Sequence, residues 1–242
     1  MVPSDSATAS SPPALLLLCG LLCDSSIWER QRAALADLTE VQVLDFPGFD
    51  SLSQMAAHVL AQAPSRFALA GHSMGARVAM EVLRQAPQRV DRLALLDTGV
   101  HPRTDNEASQ RYALLRLAQE QGMHALARQW LPPMLHPRHR DDAAVLDPLL
   151  AMVAGHSAEV FAGQVQALLQ RPDAAPLLPQ IGCPTLLGVG RQDTWSPLAR
   201  HQDMAARITD ARLVVFEECG HMAPVEAPVA VAAALRDWLL AA

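Results

Sequence analysis

The chain has 242 residues, enough for one α/β domain with a sizeable core, and half of its residues are hydrophobic. Its net charge of −6 at pH 7, with Lys and Arg dispersed along the chain, offers no basic surface to a nucleic acid. The four cysteines, Cys19, Cys23, Cys183 and Cys219, lack zinc-site spacing and favour reduced thiols in a cytoplasmic protein over a disulfide framework.

Residues 1–13 are predicted to form a disordered leader, because they are rich in Ser, Ala and Pro. This segment carries Asp5 but no Lys or Arg, so the apolar run at 14–23 lacks the basic flank of a signal peptide. The run is also too short to span a bilayer. The sequence therefore predicts a cytoplasmic protein without a membrane segment.

Apolar runs and helical patterns alternate between residues 14 and 99, and again from 181 to 242. Helix starts are indicated by Ser25 or Ser26, by Ser196 followed by Pro197, and by Pro228. Strands that alternate with helices imply right-handed crossovers and a parallel sheet with helices on both faces. The predicted strands are 14–18, 41–44, 67–70, 90–96, 183–189 and 213–216.

The segment 100–180 is predicted to be a helical cap inserted between two halves of a core, 14–99 and 181–242. Apolar residues recur there at helical spacing over 105–131, and further helical patterns follow up to residue 170, with no candidate strand. Part of this cap is expected to roof the active site. A small, mostly apolar pocket beneath it suggests a modest uncharged substrate.

The sequence GHSMG at residues 71–75 links the apolar run 67–70 to the helical pattern 76–83. A strand that enters a helix through Gly-x-Ser-x-Gly is a nucleophile elbow, a strained turn that exposes the serine hydroxyl at a helix N-terminus. There the backbone N–H groups and the helix dipole favour developing negative charge. Ser73 is therefore the candidate nucleophile.

Two later strands are followed by the partners that such a serine needs. Asp193 follows the strand at 183–189, and His221 follows the strand at 213–216. The order Ser, Asp, His along the chain is that of the α/β-hydrolase triad, in which imidazole removes the serine proton and a carboxylate fixes the imidazole tautomer. Asp97, also at a strand end, is the alternative acid, and otherwise it is expected to hydrogen-bond the loop that enters the insertion. His72 is interpreted as a packed side chain.

The remaining histidines show no metal-ligand spacing and are interpreted as surface or insertion residues. They include His101, His139 and His201. The basic stretch 136–140 is interpreted as a solvated loop. Trp195 is a candidate for the pocket wall, although packing against the following helix is the favoured role.

These motifs make the chain resemble the α/β-hydrolase-fold family, in particular its small esterases and lactonases. The resemblance implies that Ser73 is the nucleophile, that His221 acts as general base and then acid, and that Asp193 orients the imidazole. It also implies an oxyanion hole formed by the backbone N–H groups of Met74 and Leu21. At the loop after the first strand the family usually has His-Gly, whereas this chain has Cys19-Gly20.

The family usually begins with an antiparallel β-hairpin, for which this sequence provides no pattern. The predicted fold is therefore a doubly wound, mostly parallel sheet of about six strands. The predicted function is hydrolysis of a small-molecule carboxylic ester or lactone through an acyl-Ser73 intermediate, with no metal and no organic cofactor. A C–C bond hydrolase or a lyase with the same triad, and a non-catalytic binding protein on this scaffold, are the alternatives.

Overall fold

Six parallel strands form one sheet in the computed structural model, which describes residues 12–241. The strand order is β2-β1-β3-β4-β5-β6, which confirms the prediction of a doubly wound sheet with about six strands. Residues 1–11 of the predicted leader lie outside the described residues. The strands are β1 Leu15–Leu18, β2 Val41–Leu44, β3 Phe67–His72, β4 Val90–Leu96, β5 Thr185–Gly190 and β6 Ala211–Phe216.

Helices connect these strands and cover both faces of the sheet, as right-handed crossovers require. Strand β1, composed of four buried leucines, pairs with β2 on one side and β3 on the other. The helices are α1 Glu29–Leu35, α2 Leu52–Gln62, α3 Met74–Gln85, α4 Glu107–Gln121, α5 Met123–Trp130, α6 Ala143–Ala154, α7 Ala158–Leu169, α8 Leu198–Arg207, α9 Ala223–Glu226 and α10 Pro228–Leu240.

Two predicted helix starts differ from the structure by a few residues. Asp24, rather than Ser25 or Ser26, caps the first helical segment, because its carboxylate accepts a hydrogen bond from the Ser26 N–H at 2.8 Å. A short 3₁₀ turn precedes α1 there. Helix α8 begins at Leu198, with Pro197 as its N-cap, one residue later than predicted. A local pattern locates a helix but leaves the choice among neighbouring capping groups to the surrounding packing.

The strand order places the candidate chemistry at one edge of the sheet. The order changes direction between β1 and β3, and all six strands run the same way. In open α/β sheets, ligands bind in the crevice at the carboxyl ends of the strands beside such a switch point. The loops that follow β1, β3, β5 and β6 therefore meet there.

Four helices, α4 to α7, lie between β4 and β5, in the segment predicted from its helical spacing. Gly122, with a φ of +84°, separates α4 from α5, so the single predicted helical stretch over 105–131 is divided in two. No single helix within residues 12–241 has the length and apolar composition needed to cross a bilayer. Helices α6 and α7 meet that test only when taken together across a bend of 94°.

The two glycines of the elbow allow helix α3 to approach the sheet closely. A Cβ atom on Gly75 would overlap the carbonyl oxygen of Leu18 and lie 2.7 Å from that of Cys19, and a Cβ atom on Gly71 would overlap the backbone of Gly75. Both positions face backbone atoms, which cannot move aside by changing a side-chain rotamer. The glycines are therefore required for packing between strand and helix.

Gly75→Ala is expected to lower the free energy of unfolding by about 3 kcal/mol or more, because an overpacked core usually costs about 1–3 kcal/mol even when side chains can adjust. Urea denaturation measures this loss. Gly182→Ala is the matched control, since a Cβ atom there has no neighbour within 4 Å. Equal stability of the two variants would contradict the close approach.

Candidate active site

Ser73 lies at the turn between β3 and α3 with an unusual backbone conformation. Its φ of +53° and ψ of −111° lie where a side chain is strained, and it is one of four non-glycine residues with positive φ within residues 12–241. The Ser73 N–H donates to the carbonyl oxygen of Leu96 at 2.9 Å, which ties the turn to the end of β4. The side chain is held above the sheet at the N-terminus of α3.

Ser73, His221 and Asp193 form a continuous hydrogen-bonded chain. The Ser73 hydroxyl donates to His221 Nε2 at 2.9 Å, and His221 Nδ1–H donates to Asp193 Oδ2 at 2.8 Å. The carboxylate acceptor at Nδ1 leaves Nε2 unprotonated and able to accept the serine proton. The three predicted residues, 148 positions apart at the extremes, are therefore brought together with the order of contacts that a triad needs.

Asp193 is buried but remains well supplied with hydrogen-bond donors. Its second oxygen, Oδ1, accepts from the backbone N–H groups of Trp195 and Ser196, each at 2.8 Å. Burial by itself raises the pKa of Asp193, but the charge and hydrogen bond of His221 and these two N–H groups hold it below its ordinary value. The carboxylate therefore remains ionised beside the imidazole.

Asp97 makes a different set of contacts. Its Oδ1 accepts from the Gly190 N–H at 2.9 Å and its Oδ2 from the Ala223 N–H at 3.2 Å, so it joins the loops after β5 and β6. Burial and the neighbouring Asp193 carboxylate raise the pKa of Asp97. Asp97 makes no hydrogen bond to His221 within the described part of the chain. The expectation that it bonds the loop entering the insertion is not what the structure shows.

His72 is buried, as expected for a packed side chain, and contacts the backbone of His221. Its Nε2–H donates to the His221 carbonyl oxygen at 2.7 Å. Burial, followed by the charge of His221, lowers the pKa of His72 to about 3, so the ring is neutral at pH 7. His72 thus positions the histidine that touches Ser73.

A cavity of about 270 Å³ opens above Ser73 and His221. Leu21 and Met74, the two residues predicted to supply oxyanion N–H groups, both line it. Within residues 12–241, neither of these two N–H groups takes part in a hydrogen bond. Trp195 also lines the cavity, with its ring centroid 6.0 Å from that of His221, so the pocket-wall interpretation of Trp195 fits better than simple helix packing.

The cavity wall combines apolar and charged residues, so it is less uniformly apolar than the sequence led us to expect. One side consists of aromatic and aliphatic residues such as Trp130, Phe161 and Met152, but another side carries a set of charged residues. Sequence spacing did not predict this set, because its members come from four separate elements. They are Arg77, Glu107, Arg111, Arg171 and Arg200, with His101 beside them.

A model of the alpha/beta hydrolase family matches residues 15–234 of the chain. The chain belongs to this family. That match confirms the resemblance drawn from the elbow and the two loops that carry Asp193 and His221. It covers the core and the segment between β4 and β5 alike.

Several relatives of this alpha/beta hydrolase are named as esterases or lactonases. The chain is 27% identical over 230 residues to pimeloyl-acyl-carrier-protein methyl ester esterase of Nitrosomonas europaea, covering 88% of this chain and 90% of that one. A thermophilic esterase from Thermogutta terrifontis superposes with a TM-score of 0.85 and 28% identity over 95% of this chain and 90% of its own. The enol-lactonase from Burkholderia xenovorans shares the fold, with a TM-score of 0.86, 24% identity and coverage of 96% and 93%.

The loop after β1 of this alpha/beta hydrolase is held by a residue that the sequence pattern did not single out. Gln164, buried on α7, accepts from the Leu22 N–H at 2.8 Å through Oε1 and donates to the Phe46 carbonyl oxygen at 3.1 Å through Nε2. The sequence signal that could have indicated this role is a polar residue on the apolar face of a helix. Gln164 fixes the loop carrying Leu21 even though Cys19 replaces the usual histidine.

Glu226 supports the loop that carries His221. Its Oε1 accepts from the Gly220 and Met222 N–H groups at 3.0 and 3.1 Å, on either side of His221. Its Oε2 accepts from the His136 N–H at 2.7 Å and bonds His139 Nδ1 at 2.9 Å. The stretch 136–140 is therefore not simply a solvated loop: His139 is buried because its ring packs against this carboxylate.

His201 is buried in α8, which overturns its interpretation as a surface residue. Its Nε2 accepts from the Thr98 N–H at 3.1 Å, and Nδ1 faces the Pro197 carbonyl oxygen at 3.4 Å. A proton on Nε2 would clash with the Thr98 N–H, so protonation of this ring is disfavoured. Burial, the first cause, and the charges of His221 and Arg200 lower the pKa of His201 to about 4.

Stability is expected to fall as pH falls from about 6.5, the ordinary histidine pKa, towards 4. In that window the unfolded chain binds a proton at His201 and the folded chain does not, so His201 contributes about 1.4 kcal/mol per pH unit to the loss. His201→Gln removes this contribution and should flatten the curve of unfolding free energy against pH. His124→Gln, at an exposed histidine, is the control, and a His201 variant with the wild-type slope would contradict the assignment.

All four cysteine thiols of this alpha/beta hydrolase are free, and three of them are buried. Burial raises the pKa of Cys23 to about 12 and raises that of Cys19 and Cys219 as well, so these thiols stay protonated at neutral pH. Within residues 12–241 no three His, Cys, Asp or Glu side chains are grouped to hold a metal ion.

Proposed function

We propose that the protein hydrolyses a carboxylic ester or lactone through an acyl-Ser73 intermediate. The observation that carries the proposal is the chain from Ser73 Oγ through His221 to Asp193, with hydrogen bonds of 2.9 and 2.8 Å at the floor of a cavity. The names of the relatives support a carboxylic ester hydrolase as the activity, and they include a methyl ester esterase and an enol-lactonase.

In the acylation step, Ser73 Oγ attacks the substrate carbonyl carbon while His221 Nε2 takes the serine proton. Negative charge develops on the carbonyl oxygen, and we infer that it is stabilised by the N–H groups of Met74 and Leu21, both of which line the cavity. Each such donor is typically worth about 10²–10³-fold in turnover. The imidazolium then gives its proton to the leaving alkoxide, and the acyl group stays on Ser73.

In the deacylation step, water replaces the alcohol and His221 takes one of its protons. The hydroxide attacks the acyl carbon, and the second tetrahedral intermediate collapses to a carboxylic acid while the imidazolium returns its proton to the departing Ser73 Oγ. Asp193 holds Nδ1–H throughout, so that Nε2 faces Ser73 and the positive charge on the ring is stabilised.

We also infer that residues 100–180 act as a cap over this reaction centre. Support comes from the cap residues Trp130, Met134, Phe161 and Arg171, which line the cavity with Ser73 and His221. The carbonyl oxygen of Met134 also accepts from the His221 N–H at 2.7 Å. The cap therefore contributes both walls for the substrate and a hydrogen bond to the histidine loop.

The experiment that tests the function combines labelling and turnover of the full chain. Nitrophenyl esters of increasing acyl length, methyl esters and an enol lactone are assayed, and a fluorophosphonate is mapped by peptide mass spectrometry. The expected result is hydrolysis with an early burst of nitrophenol and a single adduct on Ser73. Absence of both hydrolysis and an adduct would remove the proposal and favour the C–C hydrolase, lyase or binding alternatives.

A further inference from the structure

Four arginines line the cavity that also holds Ser73. They come from α3, α4, the segment after α7, and α8, and they are Arg77, Arg111, Arg171 and Arg200. The acidic residues on the same wall are Glu107 and the buried Asp97, and Asp97 is already bonded by two backbone N–H groups. Positive charge therefore exceeds negative charge on this side of the cavity.

Two of the arginines share one carboxylate. Arg171 binds Glu107 with both of its terminal nitrogens, at 2.7 and 2.6 Å, and Arg111 Nε donates to Glu107 Oε1 at 2.9 Å. Burial tends to raise the pKa of Glu107, but the hydrogen bonds and positive charges of Arg171 and Arg111 lower it to about 2. Glu107 thus forms direct ion pairs with two cations, while its charge acts on Arg77 only without a direct ion pair.

Arg77 is the cation that this arrangement leaves without a carboxylate. The single hydrogen bond of its guanidinium within residues 12–241 runs from Nη1 to the carbonyl oxygen of His101 at 3.2 Å. A guanidinium offers five N–H donors in a plane that matches a carboxylate, so most of its capacity is unused. Burial and the neighbouring Arg171 lower the pKa of Arg77 to about 9, and the group is still charged at neutral pH.

Arg77 lines the same cavity as Ser73, which carries the reacting atom. It lies four residues after Ser73, and its N–H donates to the Ser73 carbonyl oxygen at 3.3 Å, one turn into α3. Because both side chains line one cavity, a substrate whose carbonyl is held at Ser73 can also reach Arg77.

Arg200 marks the outer end of this wall. It is exposed, has no carboxylate partner in the described part of the chain, and donates to the His101 ring at 3.1 Å. Burial, together with Arg77, Arg200 and Arg171, lowers the pKa of His101 to about 4, so the ring is a neutral acceptor. Arg200 is held in place by this ring while its charge remains uncompensated.

We propose that the acyl part of the substrate carries a carboxylate, which Arg77 binds inside the cavity with Arg200 nearby. The inference rests on the proposed function, because it describes what the ester hydrolase accepts. An anionic group is the occupant that compensates a half-buried guanidinium without an ion-pair partner, and bidentate contact with a carboxylate is its strongest hydrogen-bonding mode. The cavity of about 270 Å³ fits a compact acyl group of this kind.

The kinetic test compares monomethyl glutarate with methyl pentanoate, which have the same acyl length and differ in a terminal carboxylate or methyl group. Wild-type protein is expected to prefer the anionic ester. Arg77→Met should lower the ratio of kcat/KM for the anionic over the neutral ester by about 10–100-fold, the usual effect of losing a charged hydrogen-bond partner. Arg77→Lys should keep part of the preference, and Arg116→Met, at an exposed arginine of α4 outside the cavity, is the control.

A binding measurement separates this inference from the proposed function. Glutarate, the acid product, is titrated calorimetrically into Ser73→Ala protein and into the variant that also carries Arg77→Met. Binding that weakens by about 10-fold or more in the second protein supports the inference even if no ester is hydrolysed. Hydrolysis that depends on Ser73, with an unchanged selectivity ratio and unchanged glutarate binding in the Arg77 variants, would overturn the inference and leave the proposed function intact. Thermal denaturation of each variant verifies that it is folded.

Discussion

Replacing Ser73 by alanine is expected to lower kcat for ester hydrolysis by about 10⁴–10⁶-fold. The alanine removes Ser73 Oγ, the atom that attacks the substrate carbonyl and whose proton passes to His221 Nε2, 2.9 Å away. The burst of nitrophenol and the fluorophosphonate adduct should both disappear. Substrate affinity should change little, because the cavity wall and the two N–H groups of Met74 and Leu21 remain.

Ser65→Ala is the matched control for this variant, since Ser65 is exposed on the loop before β3. The comparison is made with single-turnover kinetics, which separate acylation from product release. Ester hydrolysis by Ser73→Ala at the rate of the control would exclude Ser73 as the nucleophile. Because Ser73 holds a strained backbone, a thermal melting curve accompanies each measurement.

Asp193→Asn is expected to lower kcat by about 10⁴-fold with little loss of stability. The amide oxygen takes over the hydrogen bonds from the Trp195 and Ser196 N–H groups, both at 2.8 Å. The amide nitrogen is then left facing His221 Nδ1, which must become an acceptor. The proton moves to Nε2, where it faces Ser73, and the imidazole is unable to accept the serine proton.

Asp97→Asn serves as the comparison and is expected to show the opposite pattern, with a larger loss of stability and a smaller loss of kcat. Both carboxylate oxygens of Asp97 accept from backbone N–H groups, those of Gly190 and Ala223, and an amide leaves one of them facing a donor. The free energy of unfolding should fall by about 1–3 kcal/mol. The effect on kcat should be much smaller than that of Asp193→Asn.

The two variants together decide which carboxylate serves the triad, and urea denaturation beside steady-state kinetics gives both quantities. A larger loss of kcat in Asp97→Asn than in Asp193→Asn would reverse the assignment of the acid. It would also require the loop after β6 to move, because Asp193 Oδ2 is the oxygen that lies 2.8 Å from His221 Nδ1.

Local patterns were sufficient for the six strands, the elbow and the candidate triad. The strands at 41–44 and 90–96 have the predicted bounds, although they include Gln42 and the pair Asp91-Arg92, because largely apolar runs bounded by turn signals indicate strands. The elbow at 71–75 is equally local, since its two glycines and Ser73 meet constraints imposed within one turn. Ser73, Asp193 and His221 converge because the carboxyl ends of parallel strands share one edge.

Burial and charge pairing in the loops and the cap depended on contacts that are distant in sequence. His201 and His139 are typical surface residues by composition, yet one accepts from Thr98 and the other packs against Glu226. Such contacts follow from how α8 and the stretch after α5 settle against the core, which no local period encodes.

The sequence by itself determined the sheet, the strained serine and the identity of its two partners, because each of these follows from short-range periodicity and from strand polarity. Only the tertiary structure decided the electrostatic character of the pocket. Glu107 is shared by Arg111 and Arg171, so Arg77 is left as an unpaired cation one helical turn from Ser73. That balance of charges depends on residues from separate elements meeting in three dimensions, since electrostatic interactions act over distance in space and not along the chain.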